Sequence, residues 1–227
     1  MIVYGKQIVT YILEKYPSMI EEIYFSKKID KKQFSLFRKL DKPIIMVDNQ
    51  KAQALAKGGN HQGFILKTQD FMFTPLNEIK KFNKIVVLDE ITDVGNIGAI
   101  ARTAYSLGYE ALVIGGINTV NMSAVIRSSS AAALDLPICL YKNTQTVANE
   151  FKQIGFDLIG AHMEGINIKQ FNNNSDKHLL FLGSEGRGLH PKLQDKLDYK
   201  VSIVMSNKFD SLNVSVAAGI LMYELGV

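Results

Sequence analysis

The stretch Leu88-Asp89-Glu90-Ile91-Thr92-Asp93-Val94-Gly95-Asn96-Ile97-Gly98-Ala99-Ile100-Ala101-Arg102-Thr103-Ala104 reads as the end of a strand, a turn and a helix. Ile97, Ile100, Ala101, Ala104 and Leu107 fall on one stripe at about 100° per residue, the period of an amphipathic helix. Arg102 projects opposite that stripe and is therefore not a core residue. Gly95 and Gly98 permit a tight turn and a close backbone approach, although Gly-x-x-Gly alone is a weak signal.

Outward from this unit, short apolar runs recur between helical patterns. Ile85 to Leu88, Ala111 to Ile114, Ile138 to Tyr141, Leu158 to Ala161, Leu179 to Leu182 and Val201 to Met205 are the predicted strands. Their alternation with helices predicts an α/β fold with a mostly parallel sheet covered on both faces. Such sheets bind ligands beyond the carboxyl ends of their strands, so chemistry is expected just after those runs. The segment 1–72 also alternates, with helices predicted at Gly5 to Tyr16, Lys31 to Leu40 and Asp48 to Lys57. Strands are predicted there at Glu22 to Phe25, Pro43 to Val47 and Gly63 to Lys67. Phe71 to Phe82 lacks a clear period and contains Pro75, which puts the domain boundary there: 1–72, a linker at 73–82, and 83–227. In Ser128 to Ala133 the small side chains suit close helix packing.

Composition excludes several classes. Of the 227 residues, 47% are apolar and 21% charged, the balance of a folded protein and not of a disordered tail. No apolar run reaches the roughly 20 residues needed to span a bilayer, and a cytoplasmic location is expected. The single cysteine, Cys139 between Ile138 and Leu140, forms no disulfide within the chain and reads as a small buried hydrophobe. His61, His162, His178 and His190 are widely spaced, so no metal site is expected. The formal net charge is +4, and its distribution is uneven. Residues 1–72 hold twelve Lys or Arg against seven Asp or Glu, giving +5, whereas 83–227 hold twelve against fourteen, giving −2. A polyanion such as RNA is attracted to the front segment through phosphate contacts, although a basic surface also serves solubility.

Two further segments carry polar groups in a pattern suited to chemistry. His178-Leu179-Leu180-Phe181-Leu182-Gly183-Ser184-Glu185-Gly186-Arg187-Gly188-Leu189 is a strand running into three glycines, which leaves backbone amides and carbonyls exposed for a ligand. It is neither Gly-x-Gly-x-x-Gly nor a loop ending in Gly-Lys-Ser/Thr, which argues against NAD and ATP, and a nicotinamide-dependent dehydrogenase is disfavoured. Glu185 follows the strand end, where a carboxylate could pair with an arginine, accept from a substrate hydroxyl or only cap a turn. The last segment, Val201 to Asn213, leads into a helix with no charged residue between Asp210 and Glu224, expected to be buried in the core or in a subunit interface. Ser211 and Asn213 stand at its entrance, where an N-cap is the commonest role for such residues.

Together the segments resemble the three motifs of the SpoU, or TrmH-like, branch of the SPOUT RNA methyltransferases. The matching residues are Asn96-x-Gly98-Ala99-Ile100-x-Arg102, Gly183-Ser184-Glu185-Gly186-x-Gly188-Leu189 and Ser211-Leu212-Asn213-Val214-Ser215-x-Ala217. Val3-Tyr4-Gly5 and Asn60-His61-Gln62-Gly63 are similar to the substrate-binding domain that many members carry in front, so the resemblance spans nearly the whole chain. It is nearest to the RlmB-type enzymes that methylate a guanosine ribose in 23S ribosomal RNA. The resemblance implies a homodimer, a SPOUT-type parallel sheet with a C-terminal trefoil knot, and a front RNA-binding domain like ribosomal protein L-thirty-e. It implies S-adenosylmethionine as methyl donor, held by Gly183, Ile203, Met205 and Leu212, and RNA as acceptor. Asn96, Arg102, Glu185, Ser211 and Asn213 would form the catalytic group. The chain departs from the family's usual pattern at Val94-Gly95, at Asn207-Lys208-Phe209-Asp210 and at Ser130-Ala131-Ala132-Ala133, none of which touches that group. Transfer RNA as substrate, and an RNA-binding or ribosome-assembly factor that has lost catalysis, are the alternatives.

Overall fold

The computed structural model describes residues 1–172, 175–206 and 212–226. In chain order the elements are β1 (Ile2–Tyr4), α1 (Lys6–Lys15), β2 (Ile20–Phe25), α2 (Lys31–Arg38), β3 (Ile44–Met46), α3 (Asn49–Leu55), β4 (Phe64–Thr68), α4 (Leu76–Ile79), β5 (Lys84–Asp89) and α5 (Val94–Ser106). They continue with β6 (Ala111–Gly115), α6 (Met122–Ser128), β7 (Ile138–Tyr141), α7 (Thr144–Gln153), β8 (Asp157–Asn167), β9 (His178–Gly183), α8 (Pro191–Gln194), β10 (Tyr199–Ser202) and α9 (Val214–Gly226). The chain divides into two compact units, Met1–Met72 with Asn121–Ala131, and Phe73–Val120 with Ala132–Val227.

The first unit is a mixed sheet in the order β1-β4-β2-β3, in which β4 runs antiparallel to β1 and β2 while β3 runs parallel to β2. Asp30 and Asp48 cap α2 and α3 by accepting from the amides of Gln33 and Lys51, so local side-chain chemistry starts both helices. Phe25 anchors one side of the sheet, with Phe37 and Phe64 edge-on to its ring at 5.1 and 5.5 Å between centroids. Helix α6 belongs to this unit: its Arg127 guanidinium donates to the Tyr4 hydroxyl and lies over the Tyr4 ring.

The second unit is a six-stranded sheet in the order β10-β8-β9-β5-β6-β7, and every ladder in it is parallel. Residues Ile85 to Asp89 of the central strand β5 are all buried, as expected for a strand covered on both faces. Ile85 and Val87 join a core with Val147, Phe151, Leu189 and Leu193. On α5, the stripe Ile97, Ile100, Ala101 and Ala104 is fully buried, as its spacing predicts. No helix among the described residues is long and apolar enough to cross a membrane.

Three local expectations change. The segment expected to be irregular, Phe71 to Phe82, contains α4, started by Pro75 and fixed by burial of Leu76 and Ile79. Strand β10 ends at Ser202, so Ile203 to Met205 lie past it. Strand β8 runs on to Asn167, but its ladder with β10 jumps from Lys200↔Gly160 to Val201↔Ile166. Past α6 the chain turns sharply. Ser130 and Ala131 take φ of 54° and 74°, and the Ala131 amide closes α6 on the Ile126 carbonyl at 2.7 Å.

His178 begins β9 with 1% of its surface exposed, and its Nε2 lies 3.1 Å from the Tyr109 hydroxyl. Burial, reinforced by the charge of Lys84, lowers its pKa to about 4, and burial also holds the Tyr109 hydroxyl protonated. The folded state therefore keeps a neutral imidazole where the unfolded chain, titrating near 6.5, takes up a proton. Stability present above pH 6.5 is lost as the pH falls toward 4, by about 3 kcal/mol. Urea unfolding between pH 7 and pH 4 should show this slope, and His178→Gln should flatten it even though that variant starts less stable.

Candidate active site

The carboxyl ends of β5, β6 and β9 lie side by side, in the register Gly115↔Asp89↔Gly183. Two glycines flank the central strand end, and the space a Cβ would take is filled by the Thr144 methyl at Gly115 and by the Gly188 backbone at Gly183. Asp93 accepts the Asn96 amide at 2.7 Å and so starts α5 directly after β5, which sets Asn96 in the first turn of that helix. Past β9 the chain doubles back: Ser184 and Gly188 form an antiparallel bridge, with the Gly188 amide donating to the Ser184 carbonyl at 2.9 Å. Gly186 and Gly188 take positive φ of 86° and 68°. Gly183 is required for contact instead: a Cβ there would sit 2.1 Å from the carbonyl carbon of Gly188.

This turn presents Glu185. Its Oε1 accepts from Asn213 Nδ2 at 2.9 Å, from Asn96 Nδ2 at 3.2 Å and from the Val214 amide at 3.3 Å. Asn213 Nδ2 also donates to Asn96 Oδ1 at 3.0 Å, closing a ring of three side chains. The remaining acceptor of Asn213, Oδ1, takes the Ser215 amide at 2.9 Å and the Ser215 hydroxyl. Asn213 is thus the N-cap of α9 and also a ligand of Glu185, two roles that sequence reading offered as alternatives. A carboxylate only accepts, so each amide nitrogen must face it, and the orientation of both asparagines follows.

The structure therefore joins Asn96, Glu185 and Asn213 by direct hydrogen bonds. Arg102 lies on the exposed side of α5, six residues beyond Asn96 and so about 9 Å further along the helix axis. Leu212 is half-buried and precedes Asn213 in the chain, next to the segment that Glu185 grips. Ile203 and Met205 are half-buried beyond the end of β10, which β8 separates from β9 in the sheet. Ser211, and the segment Asn207-Lys208-Phe209-Asp210, lie outside the described residues. Among the described residues no group of three or more His, Cys, Asp or Glu could hold a metal ion.

One part of the site escaped the sequence reading. Asp89, the last residue of β5, has only 2% of its surface exposed and accepts from the Thr144 hydroxyl at 2.6 Å and the His190 amide at 2.9 Å. A carboxylate ending an apolar run was the available signal. Its partners lie 55 and 101 residues further on, beyond the reach of local patterns.

The profile of the SpoU rRNA Methylase family matches residues 83–223, a span that holds the whole ring of side chains. The chain belongs to the SpoU rRNA methylase family. Residues 2–73 match the domain described as RNA 2'-O ribose methyltransferase substrate binding. A protein of Borreliella burgdorferi described as an uncharacterized tRNA/rRNA methyltransferase is 32% identical over 200 residues, 80% of this chain and 86% of the relative. The 23S rRNA (guanosine-2'-O-)-methyltransferase RlmB of Neisseria meningitidis is 28% identical over 98% of this chain and 93% of its own. The fold of this SpoU chain is also that of the SpoU methyltransferase AviRb from Streptomyces viridochromogenes, solved with the cofactor AdoMet. That likeness has a TM-score of 0.79 at 23% identity and covers 99% of this chain and 88% of that one.

The contact at Gly183 gives a direct test of the turn. Gly183→Ala should destabilise the protein by about 1–3 kcal/mol, because the added methyl has no room beside the Gly188 backbone. Gly186→Ala, with nothing within 4 Å of its Cβ, should cost only about 1 kcal/mol of left-handed strain. Chemical denaturation of the two variants measures both.

Proposed function

We propose that this SpoU-family chain transfers a methyl group from S-adenosylmethionine to a ribose 2'-hydroxyl of RNA, with a guanosine of 23S ribosomal RNA as the target. The observation that carries the reading is the hydrogen-bonded ring of Asn96, Glu185 and Asn213 at the ligand-binding edge of the parallel sheet. The near-complete coverage of the Neisseria RlmB relative supports the ribosomal target. The Borreliella relative, described for both tRNA and rRNA, keeps transfer RNA as the second reading.

The residues present suit the donor. The Gly183–Gly188 turn has open space at Gly186 and Gly188, Leu212 and Ile203 are partly covered apolar side chains, and Glu185 supplies a carboxylate on the turn. When bound, S-adenosylmethionine supplies a methyl group on a sulfonium. Transfer of that methyl to a ribose oxygen joins unlike charges into neutral products, so the protein's tasks are alignment and exclusion of water. Glu185, held through Oε1 by three donors, is fixed before substrate arrives, and its second oxygen stands outside those three bonds. Asn96 and Asn213 set its direction, and Ser211 is proposed to complete the group.

Arg102, exposed on α5, has the chemistry of a phosphate clamp. Its planar, permanently charged guanidinium can hold the phosphate next to the reacting ribose while stabilising charge that grows on the 2'-oxygen. The +5 excess of residues 1–72 supports RNA holding by the front domain, followed by a linker at 73–82.

Homodimerisation is supported by apolar side chains left exposed on the packed pair α5 and α9, namely Tyr105, Val216 and Tyr223. The C-terminal trefoil knot is supported by membership of the SpoU family.

Arg102→Ala should leave S-adenosylmethionine binding by calorimetry nearly intact while reducing methylation of total RNA at least a hundredfold. Unchanged methylation would remove the clamp from the reading. Mapping of 2'-O-methyl positions in RNA from cells with and without the protein identifies the target, and sedimentation should give twice the 25.3 kDa chain mass.

A further inference from the structure

We infer that Asp89 is the positioning residue of the glycine turn, holding Gly183–His190 in the shape that receives the methyl donor. The assignment of the turn to the donor rests on the reading above, whereas the role of Asp89 in the turn stands on geometry. Alternation along β5 puts Ile85, Val87 and Asp89 on one face of the sheet, the face packed against Val147 and Phe151 of α7 and Leu193 of α8. Asn96, in contrast, belongs to α5, which packs against α9. The turn straddles the sheet edge between them. Its entrance side presents Glu185 to Asn96 and Asn213, and its exit side buries Leu189, with 1% exposed, in the α7 and α8 core.

Asp89 fastens that exit. One carboxylate oxygen accepts the His190 amide and the other accepts the hydroxyl of Thr144, the first residue of α7, itself 4% exposed. No ion pair to Asp89 occurs among the described residues. A carboxyl group in an apolar core without a cation is a costly choice if stability is the only purpose, since well-packed apolar side chains do as well or better there. What the carboxyl supplies and an apolar residue cannot is a fixed direction for the amide that ends the turn. Thr144 in its turn fills the space beside Gly115, where a Cβ would sit 2.2 Å from its methyl carbon, so the clasp is built against the next strand end as well. With both shoulders of the turn tied, the backbone between Gly183 and Gly188 keeps one shape with or without a ligand, which is preorganisation.

Three variants test this. Asp89→Leu removes the acceptor for the His190 amide. His190→Pro removes the amide donor, at a residue whose φ of −56° already suits proline, together with the imidazole that accepts from the Lys192 amide, so His190→Ala, which loses only the ring, is its control and should bind as wild type does. Asp89→Asn keeps an acceptor for His190 and offers its NH2 to the Thr144 hydroxyl, which can accept. Calorimetry with S-adenosylmethionine should show binding roughly tenfold or more weaker in Asp89→Leu and in His190→Pro, and restored to within about threefold of wild type in Asp89→Asn. The double variant Asp89→Leu/His190→Pro should bind no worse than either single one, because both break the same bond. Amide hydrogen exchange at Gly188, measured without any ligand, should quicken in Asp89→Leu and in His190→Pro but not in Asp89→Asn. Wild-type affinity with a protected Gly188 amide in the leucine and proline variants overturns the inference, and so does loss in Asp89→Asn equal to that in Asp89→Leu. If Asp89→Leu does not fold, His190→Pro carries the same test. If wild type itself binds no S-adenosylmethionine while Gly188 still opens in Asp89→Leu, the donor assignment fails and the positioning role stands.

Discussion

A single carboxylate oxygen, Oε1 of Glu185, accepts from donors on two different helices, the Asn96 side chain on α5 and the Asn213 side chain and Val214 amide at the start of α9. The chain separations across these bonds are 89, 28 and 29 residues, so three remote stretches meet at one atom. Such a meeting is possible only because parallel strands deliver all their carboxyl ends to one edge of the sheet, and the segments that follow those strands are brought together there. Each bond is worth little net of its exchange with water, and the ring matters less for stability than for fixing the direction of its members.

The two carboxylates of the site are managed in opposite ways. Glu185 is exposed and is oriented by neutral amides that only donate to it. Asp89 is sealed in the core and is itself the acceptor that orients a backbone amide. The first is available to a ligand, and the second is not. Between them they fasten a turn whose glycines would otherwise leave it many conformations, since glycine loses the most freedom on ordering.

Much of this was legible in the sequence, and what was not has identifiable physical causes. The apolar stripe of α5 and the outward direction of Arg102 follow from helical periodicity, and both hold in the structure. The parallel sheet follows from the alternation of short apolar runs with helical patterns. Helix α4 stayed hidden because a single turn carries no period; only the burial of Leu76 and Ile79 against the sheet reveals it. The left-handed pair Ser130 and Ala131 stayed hidden because neither residue type marks a positive φ. Asn213 was recognisable as a cap or as a site residue. That it is both depends on where Glu185 lies, which no local pattern states. The same holds for Asp89, whose partners come from two later segments of the chain.

Helix α6 carries a consequence for how the chain acquires its structure. Asn121–Ala131 lies in the sequence between β6 and β7, yet it completes the compact unit that begins at Met1, burying Val125 and Ile126 and setting Arg127 on Tyr4. During synthesis the first seventy-two residues emerge without that covering, and their apolar surface stays bare until residue 131 has left the ribosome. By then β5 and β6 have been made as well. The covering of the N-terminal unit is thus completed only after part of the second unit has been made. Nascent-chain folding of the two parts is therefore interleaved and not sequential.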